Sequence, residues 1–346
     1  MKVSELGEFG LIERLRAALG APADERLIVG IGDDAAVWQS GETFVIATTD
    51  TMVSRVHFLP DSTAWRDIGW KAIAVNISDV AAMGGTPTLA LVTLCLPPDT
   101  DVAAIDDLYA GMREIAELSG VTIAGGDIVA APAFAVTVAM LGEAYVNDGG
   151  RPLLLRRNAA QAGNVICVTG PLGSAAAGLR VLRDPSITDG LTAEQSDELI
   201  GAHVRPWPRI DAGDVAVRAG ITCGMDISDG LAQDLGHICR ASGVDAELRL
   251  DAIPVSGALT ALFPEEAAVM AATGGEDYEL LLIGGGQTIE LADQALRRHR
   301  QTPDERQIFE VGRITGSGKG RVRVIDADGR EVELASPGWD HLRGAG

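Results

Sequence analysis

The sequence predicts an α/β (α+β) protein of two domains, and three observations carry that prediction. Strand-like and helical patterns mix in both halves of the chain. At 346 residues the chain exceeds the roughly 250–300 at which a single hydrophobic core stops growing. A turn-rich segment, Asn147-Asp148-Gly149-Gly150-Arg151-Pro152, then divides it, predicting domains over residues 1–148 and 149–346. With 47% hydrophobic and 22% charged residues, each half can bury a core of its own.

In the first domain, Leu11, Ile12, Leu15 and Leu19 recur at helical spacing and predict a helix over 9–19. Short strands follow at 27–30, 35–38 and 43–48. Trp65, Ile68, Ala72, Val75, Asp79 and Met83 fall at steps of three or four, predicting a helix over 63–83. Ser62 is its expected cap and Gly84-Gly85 its stop. A strand over 88–96, a helix over 102–119 and strands at 121–124 and 133–145 complete this domain. The second domain reads as a strand at 165–169 and helices at 173–183, 193–202 and 208–219. A strand at 222–227, a helix at 230–242 and strands at 244–250 and 278–283 come next. A helix at 288–300 precedes final strands at 308–313, 321–326 and 331–334.

The charge balance limits the partners. With 28 basic and 49 acidic residues, the formal charge of −21 argues against nucleic acid and anionic membranes. The longest apolar stretch, Ala131 to Leu141, is far short of the ~20 residues that span a bilayer. Met1 to Glu5 carry no signal-like apolar run, and the four cysteines show no zinc or CxxC spacing. These features predict reduced thiols and a cytoplasmic protein. An acidic protein still binds phosphates when metal ions intervene.

Gly30-Ile31-Gly32-Asp33-Asp34-Ala35 matches the G-x-G-x-x-A dinucleotide fingerprint. That fingerprint needs a helix directly after it, whereas the following residues read as a hairpin. Its alternative is a turn presenting Asp33 or Asp34 to a metal, or a turn with capping aspartates. Asp79 lies on the buried stripe of its helix, so its carboxylate must be neutral, paired with Lys71 or metal-bound. Lys71 is the only lysine between residues 3 and 318. Three further acidic segments end strands: Thr48-Thr49-Asp50-Thr51, Gly125-Gly126-Asp127 and Asp226-Ile227-Ser228-Asp229-Gly230. The glycines of the second would let backbone N–H groups approach a phosphate, and Ser228 or Asp229 could simply cap a helix. Together these carboxylates and hydroxyls, without paired histidines, favour Mg²⁺ over zinc. The chain has no G-x-x-x-x-G-K-[ST] loop, so an ATP site would be built without one. Asp326-Ala327-Asp328-Gly329 reads as a hairpin turn, and His203, His237 and His299 have no evident partners in the sequence.

The motifs resemble those of the thiamine-monophosphate kinases. They are Gly30 to Ala35, Thr49-Asp50-Thr51 with His57-Phe58, Lys71 to Asp79, Gly125-Gly126-Asp127 and Asp226 to Gly230. Gly274-Gly275-Glu276-Asp277-Tyr278-Glu279-Leu280 and Gly338-Trp339-Asp340-His341 complete the set, in order over nearly the whole chain. After Asp127 the family usually carries hydroxyl residues, where this chain has Ile128-Val129-Ala130.

The resemblance implies a two-domain PurM-like fold: an N-terminal mixed sheet with helices forming the interface of a homodimer, and a C-terminal α/β domain. It implies ATP-dependent phosphorylation of thiamine monophosphate to thiamine diphosphate. By motif match, Asp34, Thr48, Thr49, Asp50, Asp79, Asp127, Asp226 and Asp229 are the expected ligands of several Mg²⁺ ions. Of these, Asp34, Asp50, Asp79, Asp127 and Asp226 form the catalytic set. Gly126, Asp127, Arg157 and Ser228 would contact ATP, and His57, Glu276 and Trp339 the thiamine substrate. The alternatives are another ATP-dependent enzyme of the superfamily, such as aminoimidazole ribonucleotide synthetase, and a non-catalytic module that binds Mg²⁺ and nucleotide.

Overall fold

The computed structural model describes residues 2–20, 24–302 and 305–339, and both halves are mixed helix–strand units. The first opens with helices α1 (Val3–Leu6) and α2 (Glu8–Leu19), then strands β1 (Leu27–Val29), β2 (Ala36–Ser40) and β3 (Thr43–Val53). Helix α3 (Trp65–Ala82), strand β4 (Gly85–Leu96), helix α4 (Val102–Ser119) and strands β5 (Thr122–Ala130) and β6 (Ala135–Ala144) follow. Their six-stranded sheet runs β1-β2-β3-β6-β4-β5, antiparallel except for the β4–β5 pair. Val136, Val138 and Met140 alternate along β6 toward the helices, as a half-buried strand requires.

The second unit holds β7 (Val165–Val168), α5 (Ser174–Arg183), α6 (Ala193–Val204), α7 (Ile210–Ala219), β8 (Cys223–Asp226), α8 (Leu231–Ser242) and β9 (Val244–Arg249). It continues with α9 (Gly257–Leu262), α10 (Ala267–Thr273), β10 (Leu280–Gly284), α11 (Gly286–Arg300), β11 (Phe309–Ser317) and β12 (Val322–Ile325). Its sheet runs β12-β9-β11-β7-β10-β8, and only β12 and β9 are parallel. One apolar layer packs α8 against this sheet, and another packs α7 and α11.

Helix α3 joins the two halves. Nearly all of its residues are buried, the signature of a helix enclosed on every side. Ile68, Ile73 and Ile77 enter the first core, while Ala82 enters the layer built on α7 and β10. Its partner α4 buries Leu108, Met112 and Ile115 and ends at Gly120, whose φ of +72° is left-handed. The two helices approach very closely: a Cβ on Gly111 would lie 1.7 Å from the Arg66 carbonyl oxygen.

Several element boundaries differ from the sequence reading. Ser62 is not the cap of α3, because the helix begins at Trp65 with Ala64 in that place. Strand β3 continues to Val53, so Thr48 to Thr51 lie inside a strand rather than closing one. Strand β5 likewise runs through Gly125-Gly126-Asp127 to Ala130, held by the β4 ladder beside it. Residues 331–334 form no strand and contribute one bridge, Glu331 to Ile325. Helices α9 and α10 fill the stretch before Gly274, for which the sequence analysis predicts no element.

Candidate active site

The loop before β2, the middle of β3, the last turns of α3 and the end of β8 converge. Among the described residues, carboxylate oxygens of Asp34, Asp79 and Asp226 all lie within 4.8 Å of one another. Thr48 Oγ1 donates to Asp79 Oδ2 at 2.5 Å and lies 3.3 Å from the Asp34 carbonyl oxygen. Ser78 Oγ donates to Asp226 Oδ2 at 2.7 Å. Asn76 Oδ1 accepts the Asp50 N–H at 3.1 Å, fixing that residue beside the trio.

Three carboxylates cannot share such a space as anions without a counter-charge. Burial, followed by repulsion from Asp50, Asp226 and Asp34, holds the Asp79 carboxyl well above its ordinary range. Asp226 is pushed up to about 8, by burial first and Asp34 next. Burial also raises Asp34, against the opposing charge of Arg157. Asp34 Oδ2 is buried without a hydrogen-bond partner, although Oδ1 pairs with the Arg157 guanidinium. A buried, crowded, partly orphaned set of hard oxygen donors fits Mg²⁺. The residues between β6 and β7 help to shape the site, because Arg157 N–H donates to Asp33 Oδ1 at 2.7 Å. Thus Asp33 anchors that segment while Asp34 belongs to the trio.

The structure does not bring Asp127 into this group. It lies on the exposed edge strand β5 opposite Thr93, three strands from β3, hence roughly 14 Å across the sheet. Its neighbour Gly126 has a packing reason for being glycine, since a Cβ there would meet the Val92 carbonyl oxygen at 1.7 Å.

Ser228 and Asp229 form the turn between β8 and α8. Asp234 Oδ2 accepts N–H groups of Ser228, Asp229 and Gly230, each at 3.2 Å, and so fixes the turn. Asp229, Asp234 and His237 bring ligand atoms within 4.8 Å of one another. Sequence reasoning missed Asp234, which reads as an ordinary residue of an amphipathic helix. Trp339 N–H donates to the Asp229 carbonyl at 3.1 Å, bringing the C-terminal segment to the same turn. Asp340 and His341 lie outside the described residues.

Glu276 lies between α10 and β10, against the Ser228 turn. Its backbone is left-handed at φ +70°, and its N–H donates to the Ser228 carbonyl at 2.7 Å. Lys71 Nζ stands 2.9 Å from Oε1 and His203 Nδ1 3.1 Å from Oε2. Burial, the largest influence, disfavours the Glu276 charge, but Lys71, His203 and His57 together outweigh it and leave the carboxyl below its ordinary value. Lys71 therefore pairs with Glu276 and not with Asp79. His57 adds a weaker field at Glu276 and accepts the Val53 N–H on Nδ1 at 3.0 Å. His203 carried no signal in the sequence, because its partner is 73 positions away. Tyr278, which reads as strand core, instead precedes β10 in a left-handed conformation at φ +52°, close enough to feel the charges of Glu276, Asp50, Asp226 and Asp79.

The chain matches the AIR synthase related protein N-terminal domain over residues 32–144 and the corresponding C-terminal domain over 161–325. It is 37% identical to the thiamine-monophosphate kinase of Escherichia coli strain K12 over 341 residues, covering 97% of this chain and 98% of that protein. The Bacillus subtilis strain 168 enzyme of the same name is 35% identical over 320 residues, or 91% and 94% of the two chains. The solved structure of AaThiL complexed with AMPPCP and TMP superposes with a TM-score of 0.81 at 32% identity, covering 99% of both chains. With this fold, this order of motifs and these full-length relatives, the chain belongs to the AIR synthase related family and, within it, to the thiamine-monophosphate kinases.

Proposed function

We propose that this protein transfers the γ-phosphoryl group of ATP to thiamine monophosphate, giving thiamine diphosphate and ADP. The observation that carries the reading is the buried trio Asp34, Asp79 and Asp226, with Glu276 held on the adjoining Ser228 turn and within the field of His57, in a chain of this family. Both reactants are anions, so an acidic cleft holds them only if cations intervene. Asp34, Thr48, Thr49, Asp50, Asp79 and Asp226 are the groups that would hold Mg²⁺, with Asp229 holding a further ion. Bound there, Mg²⁺ would neutralise phosphate charge and orient the reacting groups.

The chain's own residues do the positioning. Arg157, permanently charged and tied to Asp34, lies at the edge of the trio as a phosphate partner. Ser228 and the turn that Asp234 organises face the nucleotide, and Gly126 and Asp127 on β5 extend that contact. Glu276, His57 and Trp339 surround the thiamine moiety, where the indole offers a stacking face. The attacking phosphate oxygen is already ionised at neutral pH, so no strong general base is needed. That oxygen bonds to the γ-phosphorus as the bridging bond to ADP breaks and ADP leaves with the electron pair. Transfer is in line, without a phospho-enzyme. Overall inversion at a chiral γ-phosphorus is expected, and retention would overturn this route.

The exposed apolar residues Leu91, Ile128 and Val129 on β4 and β5, at 45%, 66% and 43% exposure, support a homodimer joined through the first sheet. No helix among the described residues is long and apolar enough to cross a membrane. With the acidic surface, that supports a cytoplasmic site of action. Incubation with thiamine monophosphate, ATP and Mg²⁺ tests the main reading: thiamine diphosphate and ADP form together. ATP binding without product would favour a non-catalytic module instead.

A further inference from the structure

The cluster of Lys71, Glu276 and His203 contains two buried polar side chains that phosphoryl transfer does not use. Glu276 leaves 27% of its side chain open, whereas those of Lys71 and His203 are only 3% and 4% exposed. Lys71 Nζ and His203 Nδ1 are sealed from solvent, and neither makes a well-aligned hydrogen bond. Each instead stands against one Glu276 oxygen, at 2.9 and 3.1 Å. A ligand at this place therefore meets the carboxylate and not the groups behind it. The main chain of Glu276 is fixed as well, left-handed and bonded to the Ser228 carbonyl.

Lys71 already supplies the counter-charge that a buried carboxylate needs. What Glu276 offers to the cleft is then the remaining lone pairs of two oriented oxygens, more than an unbalanced negative charge. We propose that Lys71 and His203 are positioning residues that fix Glu276 as a hydrogen-bond acceptor for an amino group on the heteroaromatic ring of the phosphate acceptor. The cationic ring of that substrate is then held by other means. This inference rests on the reading that Glu276 lies against the thiamine moiety.

The test compares two acceptors in steady-state kinetics: thiamine monophosphate, and its analogue with the pyrimidine amine replaced by a carbonyl oxygen. The analogue keeps the cationic thiazolium. The wild-type protein is expected to prefer the amino substrate by at least about 30-fold in kcat/KM, because a site built for an N–H donor rejects its absence. In Lys71→Met and in His203→Leu, KM for thiamine monophosphate rises at least about tenfold and the preference shrinks to a few-fold. KM for ATP stays within about twofold, which a general loss of structure would not allow. If a single variant fails to fold, the double variant Lys71→Met/Glu276→Gln removes both buried charges and is expected to lose the same preference. Equal use of both acceptors by the wild type would overturn the inference, as would variants that keep the preference or weaken ATP in parallel. Product formation with unchanged discrimination overturns this inference alone. Absence of product from the wild type overturns the functional reading and this inference with it.

Discussion

Asp79 illustrates how far one residue can be read. Its place on an apolar stripe marks it as anomalous, and the structure supplies Thr48, Asp34 and Asp226 as its surroundings. Asp226 holds its proton up to about pH 8 in the folded chain, against an ordinary value of ~3.9 when unfolded. Folding of the metal-free protein therefore takes up protons within that window, and its stability falls as pH rises through it. Thermal melts in EDTA should show a midpoint that drops between about pH 5 and pH 8, and Mg²⁺ should flatten the trend. A metal-free midpoint that rises over the same range would contradict the crowding. Asp79→Asn should lower kcat by at least about 10³-fold yet raise metal-free stability near pH 8, because a neutral amide removes the cost of holding that crowded carboxyl in its buried place. Turnover and melting curves on one preparation separate the two effects.

At the scale of elements, helix α3 and strand β5 show where periodicity suffices and where it does not. The long apolar helix is evident in the sequence because its stripe repeats over 63–83. Its closeness to α4 is not, since the glycines that permit it look like weak helix positions. Gly111→Ala should cost about 2–4 kcal/mol in urea unfolding, because the added methyl meets backbone at 1.7 Å and neither helix can yield cheaply. A loss below about 0.5 kcal/mol would mean that the helices separate freely. Gly125-Gly126 in β5 resembles a loop by composition, yet the ladder to β4 carries the strand through it. Thr48 to Thr51 look like a strand end for a similar reason: polar residues suggest a terminus, while pairing with Met140 to Thr137 on β6 extends β3.

For the whole molecule, the exposed apolar residues of β4 and β5 predict the oligomeric state. Ile128→Arg, at a position 66% exposed, should leave the monomer folded and shift a dimer toward monomer in sedimentation velocity at micromolar concentration. A wild-type chain that sediments as a monomer under those conditions would refute the interface. The acidity also resolves at this scale. Of 49 acidic residues, a few gather at one cleft, and others pair with arginines, as in Glu279 with Arg209 and Asp211 with Arg300.

The sequence by itself determined the mixed helix–strand character of both halves, the order of the motifs and the oxygen-rich donor set, because each is written in local spacing and residue type. It also exposed the false dinucleotide fingerprint, since the residues after Ala35 do not continue as a helix. Only the tertiary structure decided which carboxylates meet. Asp34, Asp79 and Asp226 come together and Asp127 stands apart, because strand register and the burial of α3 set those distances. It alone gave Lys71 to Glu276 instead of Asp79 and supplied His203 as the second contact. Charge pairing in a folded core depends on proximity in space, and no local period encodes contacts between residues so far apart in the chain.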